Sequence, residues 1–318
     1  MHYDVFNGDA DGIIALLQLR LAEPRVSKLI TGVKRDIQLL QQVPANLATS
    51  VTVLDISMEK NLAALAGLLA QEIDVLYIDH HRTGLVPNSE HLTEIIDTDA
   101  NTCTSLLVNQ HLAGQYALWA IVAAFGDNML KAAEQLSQQA GLSAKEQDQL
   151  KALGIYINYN GYGRTVDDLH IAPDALFTTL LNYPDPFTLI NEANSIFTLL
   201  EEAYLSDMTQ AKQANILHDD ETLQVIELED APWSRRVSGV YGNELANQNP
   251  DKAHAVFTLN LDNTYTVSLR APINNKVGAG ELCAQFETGG GRAAAAGVNQ
   301  LPKEKLGNFI ALVSKYYQ

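Results

Sequence analysis

Cysteine is nearly absent from this chain: Cys103 and Cys283 are the only two in 318 residues. Two thiols cannot build a disulfide framework or a cysteine zinc site, and a reducing compartment is the expectation. Basic residues are scarce as well. Lysine and arginine number 21 against 38 aspartates and glutamates, a formal charge of −17. So negative a surface repels a long polyanion, which disfavours a broad basic track for duplex or long single-stranded DNA. A small phosphate ligand stays open, because a few local cations or a metal reverse the field inside a cleft. No run of about 18 apolar residues free of charge occurs, so no membrane-spanning helix is expected. The opening residues, Met1 to Gly12, lack a basic segment followed by an apolar one, so no secretory signal is expected and the predicted location is the cytoplasm. What the chain does have is apolar substance: 47% hydrophobic against 19% charged residues, enough to bury a core.

The first hundred residues alternate between strand and helix patterns. Tyr3 to Phe6 is a short extended run ending at Asn7-Gly8-Asp9, and Ile13, Ile14, Leu16, Leu17 and Leu21 mark a helix after it. Lys28 to Val33, Val51 to Leu54 and Asp74 to Ile78 are further strands, with a helix over Leu62 to Leu69. Such alternation predicts an α/β fold with a doubly wound parallel sheet, whose ligands sit beyond the carboxyl ends of its strands. From Cys103 to about Leu205 the pattern is mainly helical, and Phe187 to about Leu217 reads as one long helix. After His218-Asp219-Asp220 the period changes to that of strands at Leu223 to Leu228, Ala253 to Leu261 and Tyr265 to Leu269, with Asp262-Asn263 as a hairpin turn. Helices near Glu281 to Phe286 and Lys303 to Tyr316 complete a smaller α/β domain. The expected division is 1–190 for the larger domain, 191–221 for a helical linker and 222–318 for the smaller one.

Several strand candidates stop at a carboxylate. Asp9 and Asp11 follow the first, Asp55 the third and Asp79-His80-His81 the fourth, while Asp127 stands in a Gly-Asp-Asn break between helices. Singly, an Asp after a strand is commonly a helix cap or turn residue, and a histidine pair is as often core or surface. Their coincidence where a doubly wound sheet gathers its strand ends points to a shared site. Oxygen-rich ligands with one or two imidazoles suit Mn²⁺ or Mg²⁺, and two ions can share a bridging carboxylate.

These same residues resemble the four motifs of the DHH phosphoesterase family: Asp9-x-Asp11-Gly12, Asp55, Asp79-His80-His81 and Asp127. Gly289-Gly290-Gly291-Arg292 and the Ala-rich run to Gly297 resemble the GGGHxxAAG signature of the DHHA1 substrate-binding domain, and Ser268-Leu269-Arg270 resembles its SLR segment. The resemblance implies a DHH catalytic domain and a DHHA1 domain joined by a long helix. It implies a two-metal, Mn²⁺-dependent phosphodiesterase in which Asp9, Asp11, Asp55, His80 and Asp127 hold the ions. Asp79 would orient an imidazole or bind metal, and His81 would contact the scissile phosphate. Two positions depart from the pattern. Some members carry a metal-binding His four residues before the first motif Asp; here that residue is Val5, which hands the position to Asn7 or to water. The signature His of the C-terminal motif is Arg292.

For the substrate, Gly289, Gly290 and Gly291 let the backbone approach an anion, although a Gly triplet is also a flexible loop. Arg270 at a strand end is placed to project donors into an interdomain cleft, or to form a surface ion pair in so acidic a chain. Asn158 to Arg164 sets amides beside Tyr162 and Arg164, a candidate nucleotide pocket. The expected activity is hydrolysis of linear dinucleotides such as pGpG or pApA, or of very short oligonucleotides, to mononucleotides, which would serve second-messenger turnover. A single-strand exonuclease or cyclic-dinucleotide phosphodiesterase is the alternative within the family, and a non-catalytic nucleotide-binding protein the alternative outside it. The expected partner is a small nucleotide, without duplex DNA or membrane, with a homodimer possible.

Overall fold

In the computed structural model, which describes residues 1–99 and 101–318, the run HYDVF forms β1 (His2–Phe6), buried along its whole length. Tyr3 and Val5 point into a core shared with Val51, Val53, Val75 and Tyr77. The alternate residues face α1 (Ala10–Ala22), in which every residue from Ala10 to Arg20 is buried. A helix so enclosed needs no polar face, and its sequence is apolar nearly all round.

β2 (Ser27–Ile30), β3 (Ser50–Leu54), α2 (Met58–Leu69), β4 (Asp74–Asp79) and β5 (Leu92–Ile96) follow. The sheet order is β2-β1-β3-β4-β5, with every neighbouring pair parallel. The chain leaves β1 toward one edge and returns to build β3 on its other side, so the winding direction reverses between β1 and β3. Such a switch point opens a crevice at the carboxyl ends of those two strands. β5 has no counterpart among the expected strands, because LTEII is short and half polar.

The helices α3 (Thr104–His111), α4 (Ala117–Gly126), α5 (Leu130–Gln139), α6 (Ala144–Asn160), α7 (Pro173–Leu180), α8 (Pro186–Asn191) and α9 (Ile196–Ala211) complete the first of two units, Met1–Glu202, with α9 running on into the second, Ala203–Gln318. The single long helix expected over 187–217 is therefore two helices and a strand. Asn194 adopts φ +58°, which no α-helix continues through, and the residues after Ala211 become β6 (Asn215–Asp219).

The second unit also contains β7 (Leu223–Leu228), α10 (Pro232–Gln248), β8 (Ala253–Leu259), β9 (Thr264–Arg270), α11 (Ala279–Cys283), β10 (Gly289–Gly291), β11 (Ala295–Pro302) and α12 (Leu306–Tyr317). Its sheet order is β10-β11-β9-β8-β7-β6, antiparallel except for the β7–β8 pair that α10 connects. One face packs Leu223, Val225, Phe257, Val267 and Leu269 against Leu282, Phe309 and Val313. α10 covers the other face: a Cβ on its Gly242 would meet Arg270 and Val256. The expected hairpin at Asp262-Asn263 joins β8 to β9, with Asn263 at φ +63°. Among the described residues no helix is long and apolar enough to cross a membrane.

Candidate metal centre

The crevice between β1 and β3 gathers the predicted carboxylates. Asp9 caps α1, its Oδ1 accepting the amides of Asp11 at 3.0 Å and Gly12 at 3.1 Å. Capping and a place in the site thus coincide in one residue. Asp11, in the first turn of α1, accepts the Thr104 amide at Oδ2 and the Ser105 amide at Oδ1, each at 2.7 Å. These are first-turn donors of α3 that no backbone carbonyl can reach, so Asp11 ties α3 to α1 and is itself held rigidly. Thr104 Oγ1 donates to Asp55 Oδ1 at 3.2 Å.

Asp55 follows β3 at φ +58°, a left-handed conformation that Asp tolerates better than most residues. Burial pushes its carboxyl well above the usual range, and the nearby Asp11 and Asp9 charges add to the effect. His80 is buried after β4. Its Nδ1–H donates to the Thr102 carbonyl at 2.8 Å, which turns Nε2 toward Asp55 Oδ1 at 3.3 Å and Asp11 Oδ2 at 3.7 Å. A ring fixed through its other nitrogen is how imidazole is prepared to bind an ion. Asp79 is fully buried; its Oδ1 accepts from His81 Nδ1 at 2.7 Å, while its Oδ2 has no hydrogen-bond partner. His81 is 30% exposed and stands edge-on to His80, ring centres 4.5 Å apart.

Asp127 directly follows the last residue of α4, so it does not cap the next helix. A carboxylate at a helix C-terminus meets the negative end of the dipole and calls for a cation. Single ligand atoms of Asp11, His80 and Asp127 lie within 4.8 Å of one another, as do those of Asp55, His80 and His81. Buried carboxylates, one oriented imidazole and an oxygen without a proton donor fit a hard divalent ion. Asp11, Asp55 and His80 would hold it.

Sequence reasoning misses Lys34. Its ammonium bonds to Asp9 Oδ2, donates to Asn158 Oδ1 at 3.2 Å and lies 3.6 Å from Asp127 Oδ1. A lysine just past a strand in a chain with few cations is the available signal. Burial opposes its charge, but Asp9, Tyr162 and Asp127 raise its pKa above the ordinary lysine value. In return, the Asp9 carboxyl, which burial pushes up, is drawn below its usual range chiefly by Lys34.

Other expectations meet different geometry. Asn7 does not present itself as a ligand: its Oδ1 accepts the Asp9 amide and its Nδ2 donates to the Lys34 carbonyl, each at 3.2 Å. The Asn158 to Arg164 segment is the end of α6 and the turn after it rather than an open pocket. Asn160 binds the backbone of His170 and Ile171, and a Cβ on Gly161 would come within 3.0 Å of the Asp9 Cα. Tyr162 is buried under Lys34, 5.3 Å from ring centre to ammonium, and Arg164 is exposed with its amide on Asp168.

In the second unit, Arg270 is 9% exposed. It donates to Asn243 at 2.5 Å, Ser268 at 3.0 Å, the Leu269 carbonyl at 3.2 Å and the Gly239 carbonyl at 3.1 Å. Alternation along β9 sends Leu269 to the core and Arg270 beneath α10, so the guanidinium is a clamped group and not a reaching fork. Gly289, Gly290 and Gly291 form an edge strand paired with Ala296 to Val298, not a loop. A Cβ on Gly289 would lie 1.8 Å from the Cys283 carbonyl, whereas one on Gly290 would meet nothing. Arg292 follows the strand, half-buried, its amide on the Ala295 carbonyl.

Residues 220–318 match the DHHA1 domain. Solved structures extend the likeness over the rest. The pGpG-specific phosphodiesterase PggH from Vibrio cholerae aligns with a TM-score of 0.55 at 14% identity, covering 100% of this chain and 99% of that one. By fold, the whole chain resembles that protein. An exopolyphosphatase-related protein from Bacteroides fragilis gives a TM-score of 0.54 at 15% identity, over 99% and 92% of the two chains. RecJ from Thermus thermophilus in complex with Mn²⁺ gives 0.62 at 16% identity; there the alignment covers 99% of this chain but only 52% of RecJ. No curated protein matches the sequence.

Proposed function

We propose that this protein is a metal-dependent phosphodiesterase of the DHH/DHHA1 kind that hydrolyses linear dinucleotides, such as pGpG or pApA, or very short oligonucleotides to mononucleotides. The observation that carries the reading is the convergence of Asp11, Asp55 and a pre-oriented His80 at the switch point of a parallel sheet. Mn²⁺ or Mg²⁺ bound there would activate a water and take up charge on a phosphate oxygen. The chain's own residues supply the rest. Asp79 holds His81 through Nδ1, so that Nε2 is the atom offered to a phosphate oxygen at the partly exposed rim. Asp11, fastened to the start of α3, and His80, fastened to Thr102, keep the donor set from collapsing without substrate. In the second unit, the Gly289–Gly291 edge, open at Gly290 and followed by Arg292, is a surface that suits a phosphate group.

Two facts support a short substrate. The charge of −17 opposes each phosphate of a chain running onward over the surface, an effect felt over about 8 Å at physiological salt. The likeness to the Vibrio cholerae phosphodiesterase spans nearly the whole of both chains. The test is initial rate with Mn²⁺ against chain length from two to ten nucleotides, with cyclic dinucleotides alongside and chelator as control. Specificity constants should fall steeply beyond two nucleotides. Equal or rising constants would establish the exonuclease reading, and binding without product would make the protein a nucleotide binder.

A further inference from the structure

Asp9 and Asp127 already share a cation. Asp9 spends Oδ1 on two amides and turns Oδ2 to Lys34, whose ammonium also faces Asp127 and Asn158. This is no surface lysine that happened to swing inward. Its amide donates to the Gly161 carbonyl at 2.8 Å, and its carbonyl accepts from Asn7 at 3.2 Å, so the backbone is pinned on both sides. The ring of Tyr162 floors the ammonium, and the side chain is 23% exposed. Gly161, where a side chain would press on Asp9, lets α6 bring these groups so close.

We propose that the centre takes a single divalent ion, at Asp11, Asp55 and His80, and that the Lys34 ammonium is its second cation, standing between Asp9 and Asp127 where a second ion would need to bind. The proposal rests on the phosphodiesterase reading but concerns a different quantity, the number of ions per chain. A second ion would have to expel an ammonium that holds a carboxylate, an amide oxygen and an aromatic face. Unlike a metal, this cation stays when a chelator is added, so Asp9 and Asp127 keep a positive charge between them in the ion-free protein. In the reaction Lys34 would supply fixed positive charge beside the phosphate without exchanging with solvent.

The experiment is a Mn²⁺ titration of the full chain, with free ion read by electron paramagnetic resonance and folding checked by circular dichroism. The wild type should bind one Mn²⁺ per chain, and Asp55→Asn should lose it. Lys34→Ala, which removes the ammonium from between Asp9 and Asp127, should bind two. Two ions of similar affinity in the wild type would overturn the lysine assignment while leaving the phosphodiesterase reading intact. A folded Lys34→Ala chain that still binds only one would also overturn it. Failure of the wild type to bind any Mn²⁺ would sink the phosphodiesterase reading itself.

Discussion

Replacing Arg20 with methionine should cost the first unit about 3–5 kcal/mol at neutral pH, because it strands the fully buried Asp4 carboxylate. Arg20 reaches back from α1 to β1 and grips both oxygens of Asp4, Nε to Oδ2 at 2.9 Å and Nη2 to Oδ1 at 2.5 Å. Ser27 and His2 complete the shell, at 2.6 and 3.0 Å. Burial pushes the Asp4 carboxyl up, yet the Arg20, His2 and Ser27 bonds overcome it and hold the pKa at about 2. The distance from the ordinary 3.8 corresponds to about 2.4 kcal/mol of stability. That contribution is complete above pH 3.8, where the unfolded chain is ionised too. As pH falls toward 2 the unfolded chain takes up the proton first, and the contribution disappears. The loss in Arg20→Met should therefore be large at pH 7 and much smaller near pH 2. The double variant Asp4→Leu with Arg20→Met should recover most of it, since no charge is left buried. Urea unfolding followed by Trp119 fluorescence, in a Trp233→Phe background, reads this unit alone. A loss under about 1 kcal/mol at pH 7, or one unchanged near pH 2, would refute the reasoning. The pair matters for function because it fixes β1 against α1, the two elements that present Asp9 and Asp11.

Asp55→Asn keeps the side chain's size and its tolerance of positive φ, and His80→Ala removes the oriented imidazole; each should lower Mn²⁺-dependent turnover at least about 100-fold with little change in the unfolding midpoint. Near-normal turnover at saturating Mn²⁺ in either variant would remove them from the centre. His254 is fully buried, and burial drives its pKa down to about 4. Below pH 6.5 the unfolded chain protonates this group and the folded one does not. The second unit should lose about 3 kcal/mol between pH 6.5 and 4, and His254→Asn should flatten that part of its stability profile. Gly289→Ala should destabilise the second unit by about 1–3 kcal/mol through overpacking, whereas Gly290→Ala should fold normally and raise KM several-fold, the two effects being read by thermal unfolding and steady-state kinetics.

Much of the first unit is legible because its strands are apolar runs that stop at charged residues. Val51 to Leu54 and Asp74 to Ile78 lie within β3 and β4, and Asp55, Asp79, His80 and His81 come at or just after their ends, as a parallel sheet requires. Other elements carry no such signal. α10 has Pro, two glycines and few apolar residues along PWSRRVSGVYGNELANQ; it is a helix because Val237, Val240 and Leu245 are buried in the second unit, not because its composition demands it. The Gly289–Gly291 run is a strand only because Ala296 to Val298 pairs with it.

The sequence by itself determined which groups could do chemistry. Five aspartates and two histidines at strand and helix ends, in a chain poor in cations and cysteine, restrict the centre to hard ions and the ligand to something small. The tertiary structure decided what each group is committed to. Arg270 and Asn7 carry suitable donors and acceptors, but neighbours distant in sequence, Gly239 and Asn243 for the first and Lys34 for the second, have already claimed them. Lys34 shows the converse. Its place just past a strand is a weak local signal, and only the meeting of the β1–α1 turn with the end of α6 places its ammonium between Asp9 and Asp127. The strength of a buried charge depends on its partners within a few ångströms, and those partners are fixed by packing rather than by sequence neighbourhood.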